Sequence, residues 1–177
     1  QLVARFPFAI DDGGKIGIAN FFREFSAQGA DVTLFSLGDE TVNNDSLNEA
    51  EKYGEVLLFN HNTNNSILRI IKSIALNHSI YLKKHDNQKI RNKILELVKN
   101  KKIDLIHADH SCMAALALFA KIQTDIPVGI RLHNIEWLIW QRYADSLPLF
   151  SPKRIYIQHQ SKLIKKAESD IYKNVDV

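Results

Sequence analysis

Short apolar runs alternate with amphipathic segments along the chain, a pattern typical of strands alternating with helices. Five runs are short enough to be buried strands: 2–6, 32–37, 56–59, 103–108 and 128–132. Apolar residues recur at helical spacing in six segments: 15–28, 66–84, 87–99, 113–122, 136–144 and 153–173. The polar stretches 39–52 and 60–65 predict loops. The alternation predicts a doubly wound α/β domain with a parallel sheet flanked by helices.

The composition fits one domain with a substantial core. The chain has 177 residues, 45% of them hydrophobic, which excludes global disorder. No apolar run reaches the roughly 18 residues of a membrane span. The single cysteine, Cys112, excludes an internal disulfide framework and fits a reducing compartment, so we expect the cytoplasm. The first residue is Gln1 rather than Met and the last three are strand-like, which predicts a piece of a longer protein.

Charge is distributed unevenly behind a formal net charge of +3. Residues 1–60 carry four Lys and Arg against ten Asp and Glu, whereas residues 61–177 carry nineteen against ten. The basic part can face phosphates or an anionic membrane, or it can consist of solvated helix faces. The 66–84 segment, with an isoleucine stripe and flanking cations, suits peripheral contact with the inner membrane face or ordinary packing on a sheet. No aromatic-interleaved basic stripe exists, so nucleic acid is not an expected partner.

Ligands of doubly wound sheets bind beyond the carboxyl ends of the strands, so the residues after each run are site candidates. After the first run come Asp11, Asp12, Gly13, Gly14 and Lys15. A glycine pair at a strand-to-helix turn lets backbone N–H groups approach a phosphate or a sugar hydroxyl. The alternative is a tight turn with an aspartate as helix cap. The spacing matches neither the dinucleotide fingerprint nor a Walker A loop.

Polar side chains also follow the last two runs. His107, Asp109 and His110 form an incomplete metal-ligand set, so we expect them to line a cleft without a metal. His133 follows the next run, where its ring can hydrogen-bond a sugar hydroxyl or a phosphate near neutral pH. Glu136 lies in the first turn of the following helix, which a carboxylate stabilises electrostatically.

Further segments occur in a recognisable order. They are Arg5-Phe6-Pro7-Phe8 with Asp12-Gly13-Gly14-Lys15-Ile16, Gly29-Ala30-Asp31-Val32-Thr33-Leu34, Ile103-Asp104-Leu105-Ile106-His107-Ala108, Arg131-Leu132-His133-Asn134-Ile135-Glu136 with Arg142-Tyr143-Ala144, and Asn174-Val175-Asp176-Val177. Together they resemble the N-terminal half of family 4 retaining glycosyltransferases of the GT-B fold, with a minor departure at Ala30-Asp31. The resemblance implies that residues 1–177 form a Rossmann-like acceptor-side domain and that a C-terminal donor-binding domain lies outside this chain.

The resemblance also implies a function and a set of site residues. The full-length protein would transfer a sugar with retention, as a hexosyltransferase-type enzyme, from a UDP- or GDP-linked donor to a glycan, lipid-linked or small-molecule acceptor, without a cofactor or metal. Gly13, Gly14 and Lys15 would approach the donor, and His133 would lie in the catalytic cleft near the transferred sugar. The acceptor-side cleft would contain Asp11, Asp109, His110, Asn134 and Glu136.

Two other hypotheses remain open at this point. A nucleotide-sugar epimerase shares the GT-B architecture, and a non-catalytic Rossmann-like binding module would also fit the pattern of strands and helices. Under the transferase hypothesis, most of the groups that stabilise leaving-group charge would belong to the C-terminal domain. We therefore expect the 177 residues alone to be inactive.

Overall fold

The computed structural model describes residues 1–8, 13–38 and 42–177. Its five strands are β1 (Leu2–Val3), β2 (Thr33–Gly38), β3 (Glu55–Asn60), β4 (Ile106–Asp109) and β5 (Val128–Arg131). All neighbouring strands pair in parallel, in the order β3-β2-β1-β4-β5. The chain winds outward from β1 to β3 and then returns to place β4 on the other side of β1. The strand order therefore reverses between β1 and β4, the position at which such sheets bind ligands.

Eight helices occur within the described ranges: α1 (Gly13–Ala27), α2 (Asn44–Glu51), α3 (Ile67–Ala75), α4 (Ile80–Lys83), α5 (Gln88–Asn100), α6 (Ser111–Thr124), α7 (Glu136–Asp145) and α8 (Pro152–Asn174). The predicted doubly wound, Rossmann-like parallel sheet flanked by helices is confirmed. The first helix ends just before Gly29, in agreement with the predicted helical segment 15–28. Gly29 has φ +86°, and the N–H of Ala30 bonds the carbonyl of Phe25 at 3.0 Å, as in a helix end closed by a left-handed glycine.

Side chains alternate between the two faces of the sheet and form two cores. Leu2 and Phe35 belong to the core beneath α5 and α6, where Met113 and Leu116 are fully buried. The next residue on β1, Val3, faces the other core beneath α1. Its buried members also include Phe6, Phe8, Ile18, Phe22 and Leu34. Burial on both faces explains why the strands read as continuous apolar runs.

The predicted single helix over residues 66–84 is wrong, because the segment contains two helices. Ser66 caps α3, which ends at Ala75, and Asn77 then adopts φ +48°. Ser79 caps α4 through a 3.3 Å bond from the N–H of Leu82. Asn tolerates the left-handed conformation and Ser favours helix caps, so the local sequence carries the signal for this break.

The predicted loop over residues 39–52 also needs correction. Asn43 accepts a 2.8 Å hydrogen bond from the N–H of Ser46 and caps α2. The same polar residues that suggest a turn therefore begin a helix, whose Ala50 is buried in the α1-side core. At the chain end, the carbonyl of Val177 accepts from the N–H of Ile130 at 2.9 Å, so the strand-like ending lies along β5.

Candidate functional site

A buried carboxylate lies at the carboxyl end of β4, where the strand order reverses. Asp109 is fully buried, and its Oδ1 accepts a hydrogen bond from Nε2 of His133 at 3.1 Å. Arg131 Nη1 lies 3.6 Å from the same oxygen, and His107 Nδ1 lies 3.7 Å from Oδ2. The side-chain amide of Gln1 donates to Oδ2. A buried charge is costly without partners, so the hydrogen bonds from His133 and Gln1 and the nearby charge of Arg131 explain how the carboxylate is accommodated. We call Asp109, His110, Arg131 and His133 the edge cluster.

His110 is held in a strained backbone conformation beside this carboxylate. Its φ of 72° and ψ of 151° fall in a region that is essentially restricted to glycine, at a cost of about 1–3 kcal/mol. Its N–H donates to the carbonyl of Arg131 at 2.9 Å, and its ring stacks on the ring of His133 with centroids 4.4 Å apart. Burial, followed by the charge of His133, lowers the pKa of His110 to about 4. The imidazole is therefore neutral near neutral pH.

Helix α1 approaches this cluster closely at a glycine. Arg131 Nη1 donates to the carbonyl of Gly17 at 2.9 Å, and the guanidinium lies 3.9 Å from the ring centroid of Phe21. A Cβ at Gly17 would lie 2.8 Å from Arg131 Nη2 and 3.6 Å from Cε1 of His133. A side chain at position 17 would therefore displace the guanidinium of Arg131 from its place against α1. Because Gly17 lies about one helical turn after Gly13, the helix N-terminus is next to the edge cluster.

A small cavity of about 170 Å³ lies beyond the carboxyl ends of β1, β2 and β3. Its lining includes Arg5, Lys15, Gly38, His61 and Asn64. The lining has the cationic and hydrogen-bonding groups that suit a phosphate or a polyhydroxylated ligand. The cavity and the edge cluster occupy the same edge of the sheet, on opposite sides of β1.

Glu136 belongs to a different polar group from the edge cluster. Burial raises its pKa, the charge of Glu168 raises it further, and Lys84 acts in the opposite direction. Glu168 is fully buried on α8 and accepts a 2.8 Å hydrogen bond from the hydroxyl of Ser111 at the start of α6. It also accepts from the N–H of Trp137 at 3.4 Å. Glu168 therefore ties α8 to the first turns of α6 and α7.

Two other features are less suited to chemistry. A larger cavity of about 730 Å³, lined by Phe25, Asp31, Lys101 and Asp104 among others, lies at the amino ends of the strands, away from the edge that binds ligands in such sheets. Cys112 is buried, and burial raises the pKa of its thiol to about 11, which disfavours the reactive thiolate.

Within residues 1–8, 13–38 and 42–177, no group of three His, Cys, Asp or Glu side chains is arranged to hold a metal ion. In the same ranges, no helix combines the length and apolar character needed to cross a bilayer.

The structure brings together several residues predicted from the sequence. Asp109, His110 and His133 form one cluster, and the turn of Gly13, Gly14 and Lys15 begins the helix that packs against it. Asn134 is exposed after β5, and Glu136 lies apart as described above. Asp11 lies outside the described residues.

Three residues that shape the candidate site were not predicted from the sequence. Arg5 and Arg131 follow or end strands, so the rule applied to the other residues could have identified them. Gly17 carried no comparable signal, because its role depends on a contact with Arg131 across 114 positions.

A doubly wound parallel sheet with charged and polar side chains at its switch point defines a ligand-binding α/β domain of the Rossmann-like class. A family model described as Glycosyltransferase Family 4 matches residues 12–176. The chain therefore belongs to glycosyltransferase family 4, as the N-terminal domain of a GT-B fold. Searches of curated proteins and of solved structures returned no significant match.

Proposed function

We propose that this chain is the acceptor-side domain of a hexosyltransferase-type enzyme that acts with retention. Its donor is a UDP- or GDP-sugar, and its acceptor is a glycan, a lipid-linked molecule or a small molecule. The family establishes a glycosyltransferase in general. The observation that supports the finer proposal is the edge cluster, which adjoins the N-terminal turns of α1 at the switch point. A C-terminal domain facing this edge would close the cleft over both substrates.

His133 is proposed to contact the transferred sugar. When its Nε2–H donates to Asp109, Nδ1 carries the lone pair and can accept a hydrogen bond from a sugar hydroxyl. Asp109 is fully buried, so it acts through His133, fixing the tautomer and the ring orientation, and does not touch the acceptor itself. Asp109 is a positioning residue in this proposal.

The first turn of α1 is proposed to receive the donor phosphate. Gly13 and Gly14 place backbone N–H groups at the positive end of a 15-residue helix. Among the described residues, no atom lies within 4 Å of where a Cβ of Gly13 would be, so this end of the helix is open. Lys15 and Arg5 line the neighbouring cavity and add positive charge. During transfer the bond from the anomeric carbon to the diphosphate oxygen breaks, a bond from an acceptor hydroxyl oxygen to the same carbon forms, and the hydroxyl proton passes to the released diphosphate. The N–H groups of α1 and the two cations stabilise the negative charge that develops on the leaving oxygen.

His110 and Asn134 are proposed to face the acceptor, because both lie at the same edge as His133. Glu136 is proposed for the acceptor side because it begins α7, the helix that follows His133 and Asn134. Asp11 remains a sequence prediction. The proposed place of action is the cytoplasm, in keeping with a single buried thiol. The isolated chain is expected to be inactive, because the donor also needs the C-terminal domain.

The proposal is tested with the full-length protein and a panel of UDP-, GDP- and ADP-sugars. Binding and hydrolysis are measured for each donor, and the sugar product is examined by NMR. With the productive donor, His133→Gln is expected to lower kcat/KM by about 10–100-fold through loss of a positioned hydrogen-bonding group. The matched control is His78→Gln, a half-buried histidine between α3 and α4 that belongs neither to the edge cluster nor to the lining of the 170 Å³ cavity.

Three outcomes would reject the proposal. Lack of binding to every donor would favour a non-catalytic module. Release of an epimerised nucleotide-sugar would favour the epimerase. Equal activity of His133→Gln and His78→Gln would show that His133 does not contact the transferred sugar.

A further inference from the structure

Helix α3 has its apolar side facing solvent. Ser73 is the only residue of this helix that is buried, and it points toward α8. Five large apolar side chains on or just after α3 are exposed, with Ile67 retaining 78% of its accessible surface: Ile67, Leu68, Ile71, Ile74 and Leu76. An exposed contiguous stripe of this size marks a surface that contacts an apolar partner.

A second exposed apolar group lies on and just before α8, a helix that meets α3 at one pair of side chains. The hydroxyl groups of Ser73 and Tyr156 are 3.0 Å apart, which joins α3 to the first turns of α8. Leu149 and Phe150 immediately precede α8, and Phe150 retains 94% of its accessible surface. Ile155, beside Tyr156, is also exposed. We call the exposed faces of α3 and of residues 149–166 the α3–α8 surface.

The charges of this surface have one sign. Residues 56–85 contain four Lys and Arg and no Asp or Glu, and residues 146–167 contain five and none. On α8, Ile155, His159, Lys162 and Lys166 recur at helical spacing and are all exposed, so cations and an apolar side chain share one face. Lys72 supplies an exposed cation on α3.

The combination of exposed isoleucines and unopposed cations distinguishes between classes of partner. A purely apolar protein partner would account for the isoleucines but not for the excess of cations. An anionic bilayer accounts for both, because it accepts apolar side chains at its boundary and attracts Lys and Arg to its headgroups. We propose that the α3–α8 surface docks the protein on an anionic bilayer. Both segments that form it are placed by tertiary contacts, which include bonds from the N–H of Ile80 to Gln160 and from Gln160 to the carbonyl of His78.

This surface also borders the carboxyl edge of the sheet. Arg69 donates to the carbonyls of Asn62 and Asn64 at 2.8 and 2.6 Å, and Asn64 lines the 170 Å³ cavity. A docked α3 would place that cavity beside the bilayer. A lipid-linked acceptor, one of the acceptors of the proposed function, would then reach the cleft directly from the membrane. This consequence rests on the proposed function.

The test is sedimentation of the full-length protein with vesicles of phosphatidylcholine, with and without phosphatidylglycerol. We expect binding to the anionic vesicles, weakened by salt. Ile67→Gln combined with Ile71→Gln is expected to reduce binding about tenfold or more. The matched control combines Leu105→Gln with Ile122→Gln, two exposed apolar residues at the opposite end of the sheet.

The charge contribution is tested separately. Lys162→Gln combined with Lys166→Gln should reduce binding to anionic vesicles and flatten its salt dependence, whereas Lys99→Gln combined with Lys102→Gln should not. Circular dichroism checks that each variant is folded.

Absence of vesicle binding by the folded full-length protein would overturn the proposal, and so would equal losses of binding in test and control variants. A concentration-dependent dimer that the Ile67 and Ile71 changes abolish, without vesicle binding, would identify a second copy as the occupant. Vesicle binding is independent of sugar transfer, so the two proposals can fail separately.

Discussion

The edge cluster and the α3–α8 surface depart from ordinary burial in opposite directions. In the edge cluster a carboxylate is fully buried, and each neighbouring charge or ring is fixed by a specific partner. On the α3–α8 surface large apolar side chains face solvent beside charged residues that are all positive. Folded proteins usually place these groups the other way round. The edge cluster therefore depends on the exact positions of a few interacting groups. The proposed binding by the α3–α8 surface depends instead on the total exposed apolar area and the total positive charge.

Asp109→Leu tests the edge cluster and should have the largest effect on stability and activity. The leucine leaves Arg131 without its ion-pair partner and His133 without its hydrogen-bond acceptor. We therefore expect a loss of about 3 kcal/mol in the free energy of unfolding, near the lower end for a broken buried pair because Arg131 is partly exposed. Activity of the full-length protein should fall about 100-fold through misplacement of His133. Urea unfolding and kinetics measure the two effects.

Asp109→Asn is the matched variant, because it keeps the shape and one acceptor oxygen. We expect it to recover most of the stability but only part of the activity. If Asp109→Leu were as stable as the original protein, the edge cluster would not differ energetically from the exposed surface.

His110 gives the edge cluster a pH dependence. Its pKa is near 6.5 in the unfolded chain and about 4 in the folded one, because burial disfavours the charged ring. The unfolded state therefore binds more protons over this range, and stability falls as the pH drops from about 6.5 toward 4. His110→Gly removes this uptake and relieves the strained φ, so its thermal midpoint should decline less between these pH values.

His85 is the internal comparison, since burial also lowers its pKa to about 4 while its backbone is unstrained. His85→Gln should reduce the pH dependence without the gain in stability near neutral pH that relief of strain provides. If His110→Gly left the pH dependence unchanged, the pKa of His110 in the folded protein would not be lowered.

Ile71→Gln tests the exposed surface and should have the smallest effect on stability. The side chain is 56% exposed, so its replacement removes little buried area and should change the free energy of unfolding by about 0.5 kcal/mol or less. Urea unfolding measures this change. A loss above about 2 kcal/mol, as for a buried isoleucine, would mean that this face is covered within the folded protein.

Much of the fold was predictable because the signals are local. The strand runs, the stop at Gly29 and the polar residues at strand ends all depend on spacing of a few residues. The same local rules misjudged residues 39–52 and 66–84, where Asn43 and Ser79 act as helix caps. In both cases a polar residue that is common in turns begins a helix instead.

By itself, the sequence determined the order of strands and helices, the edge of the sheet at which polar residues collect, and the family to which the chain is related. Only the tertiary structure decided which of these residues touch. Arg131 meets Gly17 across 114 positions, and Ser73 meets Tyr156 across 83. Such contacts depend on how the helices pack on the two faces of the sheet, which no local periodicity encodes. The same packing leaves Ile67, Ile71 and Ile74 of α3 exposed, because the side of the helix that faces α8 is occupied by Ser73.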